Sequence, residues 1–171
     1  MAHSQQNLQL SLFQEPLQTE STGSYNLFVD GASRGNPGHA GAGIFITCDT
    51  QVILKEGFYL YHKTNNQAEY LAFLLGIYHL YKHKLEQNKL IIHSDSLLLV
   101  KQLNLEYKIT NVELKKLFLI AHNALKNMKH KTLIHVPREE NKQADEAANY
   151  GIDKKIAVPK EFFDFFMIDH L

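Results

Sequence analysis

Residues 25–38 read Tyr25-Asn26-Leu27-Phe28-Val29-Asp30-Gly31-Ala32-Ser33-Arg34-Gly35-Asn36-Pro37-Gly38, and this stretch decides how the chain is read. Residues 25–29 are a short run rich in aromatic and branched side chains, and the Asp-Gly and Gly-Asn-Pro-Gly signals after it are turn chemistry. Asp30 is expected to close a strand there. Two runs of the same kind follow at residues 43–47 and 51–59, set apart by Gly and Asp, so the three together predict an antiparallel meander.

Working outward, Ala68, Leu71, Ala72, Leu75 and Tyr78 recur at helical spacing, and Asn66 with Glu69 three residues later resembles a capping box. Residues 90–93 read as a fourth strand running into Ser94-Asp95-Ser96 and the helical pattern of Leu98, Val100 and Leu103. A further helix is predicted over residues 112–128, a fifth strand over 132–136 ended by Pro137, and a last helix over about 140–150 stopped by Gly151. The order βββαβααβα predicts an α/β fold, with a five-stranded mixed sheet (an antiparallel meander of three strands plus two further strands) flanked by helices. Residues 1–24 lack periodicity and are expected to be a flexible tail before a domain at residues 25–151. In the apolar extension, residues 152–171, Phe162, Phe163, Phe165, Phe166, Met167 and Ile168 are expected to dock on the core.

With 171 residues, 44% of them hydrophobic, the chain can bury a sizeable core as one domain. The single cysteine, Cys48, forms no intrachain disulfide, and with a polar N-terminus it leads us to expect a cytoplasmic setting. No apolar run approaches the length of a membrane span. The formal net charge is zero, which excludes a generally basic nucleic-acid binder, yet residues 79–143 hold 12 basic against 6 acidic side chains. Such a stretch is either a set of solvated lysines or a surface suited to a polyanion.

Four carboxylates fall at predicted element boundaries: Asp30, Glu69, Asp95 and Asp145. Singly, each has an ordinary explanation as a turn residue, a capping partner, a helix N-cap or surface charge. Together they offer the hard oxygen ligands that two Mg²⁺ ions need to clamp the oxygens of a phosphoryl transfer.

The strings Asp30-Gly31-Ala32-Ser33-Arg34-Gly35-Asn36-Pro37-Gly38, Thr64-Asn65-Asn66-Gln67-Ala68-Glu69, Ser94-Asp95-Ser96 and Asn141-Lys142-Gln143-Ala144-Asp145 are similar, in order and spacing, to the type 1 ribonuclease H family. The resemblance covers residues 25–150 and implies the ribonuclease H-like fold. It implies that Asp30, Glu69, Asp95 and Asp145 are the catalytic, metal-binding set for two Mg²⁺, with Mn²⁺ as the other candidate ion. The implied activity is hydrolysis of the RNA strand of RNA–DNA hybrids to 5′-phosphate and 3′-hydroxyl ends. By the same resemblance Gly35, Asn36, Gly38, Asn65, Asn66, Gln67, Ser96 and Arg138 contact substrate, which must be told from DNA by its 2′-hydroxyls.

Two departures stand out. Many relatives carry a loop His before the last Asp; here either His135 or Arg138 occupies that place, and an Arg is no proton shuttle near neutral pH. Some members insert a Lys- and Trp-rich handle that this chain lacks, and Lys101, Lys108, Lys115 and Lys116 are its candidate replacements. Separately, Gln9-Leu10-Ser11-Leu12-Phe13 looks like the peptide that docks bacterial replication proteins on the sliding clamp. It makes the clamp an expected partner, with Gln9, Leu10, Leu12 and Phe13 as contacts. A non-catalytic nucleic-acid-binding module and a DNA-directed nuclease are the alternatives on this fold.

Overall fold

The computed structural model describes residues 23–169, so the pentapeptide at residues 9–13 lies outside the described residues. Three long strands come first: β1 (Ser24–Gly35), β2 (Gly38–Cys48) and β3 (Gln51–Lys63). They are followed by α1 (Asn65–Lys82), β4 (Lys89–Ser94), α2 (Leu97–Leu103), α3 (Val112–Lys126), β5 (Lys131–His135), a 3₁₀ turn (Arg138–Glu140), α4 (Lys142–Lys154) and α5 (Lys160–Phe166). The sheet order is β3-β2-β1-β4-β5, with β1 antiparallel to β2, β2 antiparallel to β3, and the β1–β4 and β4–β5 pairs parallel. The five-stranded mixed sheet is the one expected.

Several boundaries differ from the sequence reading, each for a local reason. β1 does not close at Asp30 but runs five residues further, pairing with β2 as far as Gly35↔Gly38. Asp-Gly here is therefore no turn; the turn is Asn36-Pro37, allowed by Gly35 at φ +112°. The capping box belongs to Thr64 and Gln67, not to Asn66 and Glu69: the Thr64 hydroxyl accepts from the Gln67 N–H, and the Gln67 side chain accepts from the Thr64 N–H. α4 begins after the 3₁₀ turn and passes through Gly151 to Lys154, so the extension starts later than predicted. Gly151 is where helix meets sheet, because a Cβ there would lie 2.4 Å from the Phe58 nitrogen.

α1 lies on one face of the sheet and is buried on every side from Ala68 to Leu80, with α3 and α5 packed on it. α4 lies on the other face over β2 and β3. As expected, the apolar end docks on the core: Phe162 is fully buried, edge-on to Tyr78 of α1. No helix is long and apolar enough to cross a membrane among the described residues.

Candidate active site

Three elements converge on one spot. Asp30 sits in β1, Glu69 in the first turns of α1, and Asp95 in the link between β4 and α2. One carboxylate oxygen from each lies within 4.8 Å of the other two. Parallel pairing sets β4 beside β1, which brings Asp95 alongside, and Gly31 lets α1 approach: a Cβ on it would lie 2.1 Å from the Glu69 nitrogen. The Gly31 N–H instead donates to Glu69 Oε2 at 3.3 Å.

Asp30 and Glu69 are buried and Asp95 is half-buried, so like charges meet where water screens them poorly. Burial pushes the Asp30 carboxyl up to about 7, helped by the charges of Asp95 and Asp145, while Arg138 pulls it back. Burial, then Asp30 and Asp95, hold Glu69 well above the ordinary carboxylate range. A cluster that disfavours its own charges, and presents only oxygen donors, suits a hard divalent cation. The residues fit such a group.

Asp145 was expected to join this set. It lies outside the trio, in the first turn of α4, where the Arg138 guanidinium donates to its Oδ1 at 2.8 Å. Arg138 is therefore the residue of the loop-His alternatives that reaches the acidic site, while His135 closes β5 opposite Ser94. Its partnership with Asp145 raises the Arg138 pKa further, which leaves it a fixed cation.

The sequence reading missed the role of Asn141. It is fully buried, and its amide donates to Val29 O at 3.0 Å and to Asp95 Oδ1 at 2.8 Å, linking the β1 backbone to the carboxylate of the β4 end. Its own oxygen is buried without a hydrogen-bond partner. The signal available was a short polar residue before a helix, which reads as an N-cap, yet Asn141 makes no side-chain cap bond.

The substrate-contact candidates divide. Asn36, Asn65 and Asn66 are exposed beside the cluster, with the Asn65 N–H donating to Asn36 Oδ1 at 3.2 Å. Gly35 and Gly38 frame that hairpin; a Cβ on Gly38 would lie 2.2 Å from Arg34 O. Gln67 and Ser96 are committed locally, Gln67 to the capping box and Ser96 as N-cap to the Leu99 N–H. Among the candidate handle replacements, Lys101 is paired with Glu106 and Lys116 with Glu113.

Comparisons with known proteins bear on the family and the fold. A family model described as reverse transcriptase-like matches residues 28–151. The ribonuclease HI of Halobacterium salinarum is 31% identical over 138 residues, covering 80% of this chain and 68% of that protein. A bifunctional protein of Mycobacterium tuberculosis is 34% identical over 127 residues, 73% of this chain, and the chain spans 34% of its length. Among solved structures, LC11-RNase H1 in complex with RNA/DNA hybrid superposes with a TM-score of 0.71 at 35% identity, covering 76% of this chain and 97% of that one.

Proposed function

The chain belongs to the type 1 ribonuclease H family, and from that premise we propose that it hydrolyses the RNA strand of RNA–DNA hybrids, leaving 5′-phosphate and 3′-hydroxyl ends. The observation that carries the reading is the convergence of Asp30, Glu69 and Asp95, whose carboxylate oxygens lie within 4.8 Å of one another. These three would hold Mg²⁺, or Mn²⁺ in its place, with Asp145 reaching a second ion. When bound, the ions supply Lewis acidity that activates water and stabilises charge on the oxygens of the scissile phosphate.

The chain's own residues do the rest. Gly31 and Asn141 fix Glu69 and Asp95 by hydrogen bonds, so the oxygens are oriented before substrate arrives. Arg138 neutralises Asp145 and offers a fixed positive charge toward a phosphate, without moving protons. Asn36, Asn65 and Asn66 present donors and acceptors where a minor groove displaying 2′-hydroxyls would lie. The lone thiol of Cys48 is consistent with a cytoplasmic setting, where RNA primers and R-loops are the natural hybrids. Recruitment by a clamp through Gln9, Leu10, Leu12 and Phe13 belongs to the same proposal, and Leu12→Ala with Phe13→Ala should abolish clamp binding if it holds.

The test is cleavage of a hybrid labelled on each strand in turn, beside single-stranded RNA, duplex RNA and duplex DNA, with Mg²⁺ and with Asp95→Asn as control. RNA-strand cutting confined to the hybrid and lost in the variant is the expected result. Binding of hybrid without cutting would replace the enzyme by a binding module.

A further inference from the structure

Toward the far end of α1 from the carboxylate cluster, a buried histidine is left with nothing to bond. His79 is 1% exposed, yet neither of its ring nitrogens has a hydrogen-bond partner. Buried polar atoms of this kind call for an explanation, and a bound ion is one. Packing fixes the ring, which stacks on Phe58 of β3 at 5.7 Å and stands edge-on to Tyr78 at 5.1 Å. Its Nε2 lies 3.6 Å from Glu56 Oε2, too far for a hydrogen bond. With metal–ligand distances of about 2.0 Å, two ligands of a tetrahedral zinc ion lie about 3.3 Å apart. The gap is therefore close to one edge of a metal site.

Helical spacing supplies a third donor. Residues 79–83 read His-Leu-Tyr-Lys-His, and the His83 N–H donates to His79 O at 3.0 Å, so helical register holds across both. Side chains four apart on a helix stand over one another, and here the two rings stack with centres 6.1 Å apart. Among the described residues only the carboxylate trio already brings three such donors together, so closing this site takes a rotation of the exposed His83 ring toward Glu56. The surrounding charge is mixed. The Tyr78 hydroxyl is raised by burial, then by Glu161 of α5 and by Glu56, while the Lys82 ammonium stands 5.8 Å over the Tyr78 ring. Burial, then Lys82 and His83, hold His79 down to about 4, so near neutral pH its imidazole is uncharged and one nitrogen keeps its lone pair.

We propose that His79, His83 and Glu56 form a second metal site, for a borderline divalent transition ion such as Zn²⁺. Two imidazoles and one carboxylate are donors that such ions prefer, whereas the oxygen-only cluster of Asp30, Glu69 and Asp95 suits a hard cation. An ion here ties the C-terminal end of α1 to β3 and adds to stability without entering the cleavage centre. The inference stands independently of the hybrid-cleaving reading.

The test is Co²⁺ binding read by visible absorption, with Zn²⁺ as competitor, in excess Mg²⁺, for wild type and Asp95→Asn. Tetrahedral Co²⁺ absorbs far more strongly than octahedral Co²⁺ held by oxygens. An intense spectrum that Zn²⁺ bleaches, the same in Asp95→Asn, is the expected result. His83→Gln should weaken Zn²⁺ binding about tenfold or more, and Glu56→Gln severalfold. Both side chains reach solvent, so the fold and Mg²⁺-dependent hybrid cleavage should be unchanged in these variants. In excess Mg²⁺, Zn²⁺ should raise the Tm of the wild type but not of His83→Gln. His62→Gln, which alters the separate His39–His62 pair, should bind Zn²⁺ as the wild type does. Only a weak octahedral spectrum would overturn the proposal. So would Zn²⁺ binding that His83→Gln and Glu56→Gln leave intact, or binding lost in Asp95→Asn.

Discussion

Two seams join helix to sheet in this molecule, and both are closed by glycine. Where α4 crosses β2 and β3, a Cβ on Gly43 would lie 1.9 Å from Ala144 O, and one on Gly57 1.7 Å from Ala147 O, so backbone meets backbone across small apolar side chains. Where α1 meets β1 at Gly31, the approach is as close, but what it delivers is the Glu69 carboxylate beside Asp30 and Asp95. One seam is closed by packing and adds to stability. At the other, the packing brings like charges together and opposes folding. The α1 seam therefore carries an electrostatic cost that the small apolar side chains of the α4 seam do not.

The sharpest way to break the comparison is to remove one charge. Asp30→Asn should reduce hybrid cleavage to background, yet raise the metal-free unfolding free energy by about 1 kcal/mol or more at pH 7.5, or roughly 3 °C in Tm. A variant that lost both activity and stability would show that the carboxylates are not repelling one another. Gly57→Ala is the converse: overpacking the neutral seam should cost about 3 kcal/mol by denaturant unfolding, while the metal concentration for half-maximal cleavage in the folded fraction stays unchanged. Asn141→Ala should fall between, lowering kcat about 10- to 100-fold by freeing Asp95, with a smaller loss in Tm.

The smallest effect expected is in pH dependence, and its sign separates the carboxylate cluster from the buried histidine of α1. Asp30 is raised to about 7, so the folded state binds its proton more tightly than the unfolded chain. Metal-free stability from this group is present at low pH and is lost as pH rises through about 7, with Glu69 acting in the same direction. His79, buried in α1 and lowered to about 4 chiefly by burial, works oppositely: stability falls as pH drops from its ordinary value through about 4. The two slopes offset each other between them, and above pH 6.5 only the carboxylates remain. Metal-free Tm should then decline by a few degrees from pH 6.5 to 8, and Asp30→Asn should remove most of the decline.

What was legible in the sequence follows from the same contrast. The strand and helix order could be read because alternating and 3.6-residue patterns are local, and the converging carboxylates Asp30, Glu69 and Asp95 because they sit in short strings similar to one family. The extension of β1 past Asp30 was hidden because Asp-Gly has strong turn chemistry, which pairing with β2 overrides. Gly151 likewise reads as a helix stop, although its role is contact with β3. The offset of Asp145 toward Arg138 and the buried bridge of Asn141 depend on neighbours from distant parts of the chain, which no local pattern encodes.

The central claim is that the Asp30–Glu69–Asp95 cluster is a cation site whose empty form is strained by its own charge. Thermal unfolding of wild type and Asp30→Asn at pH 7.5, across a Mn²⁺ titration, tests it most directly. The account predicts that the wild type starts below the variant and rises above it as Mn²⁺ is added, so that the two curves cross. Parallel curves, or a wild type already the more stable without metal, would contradict it.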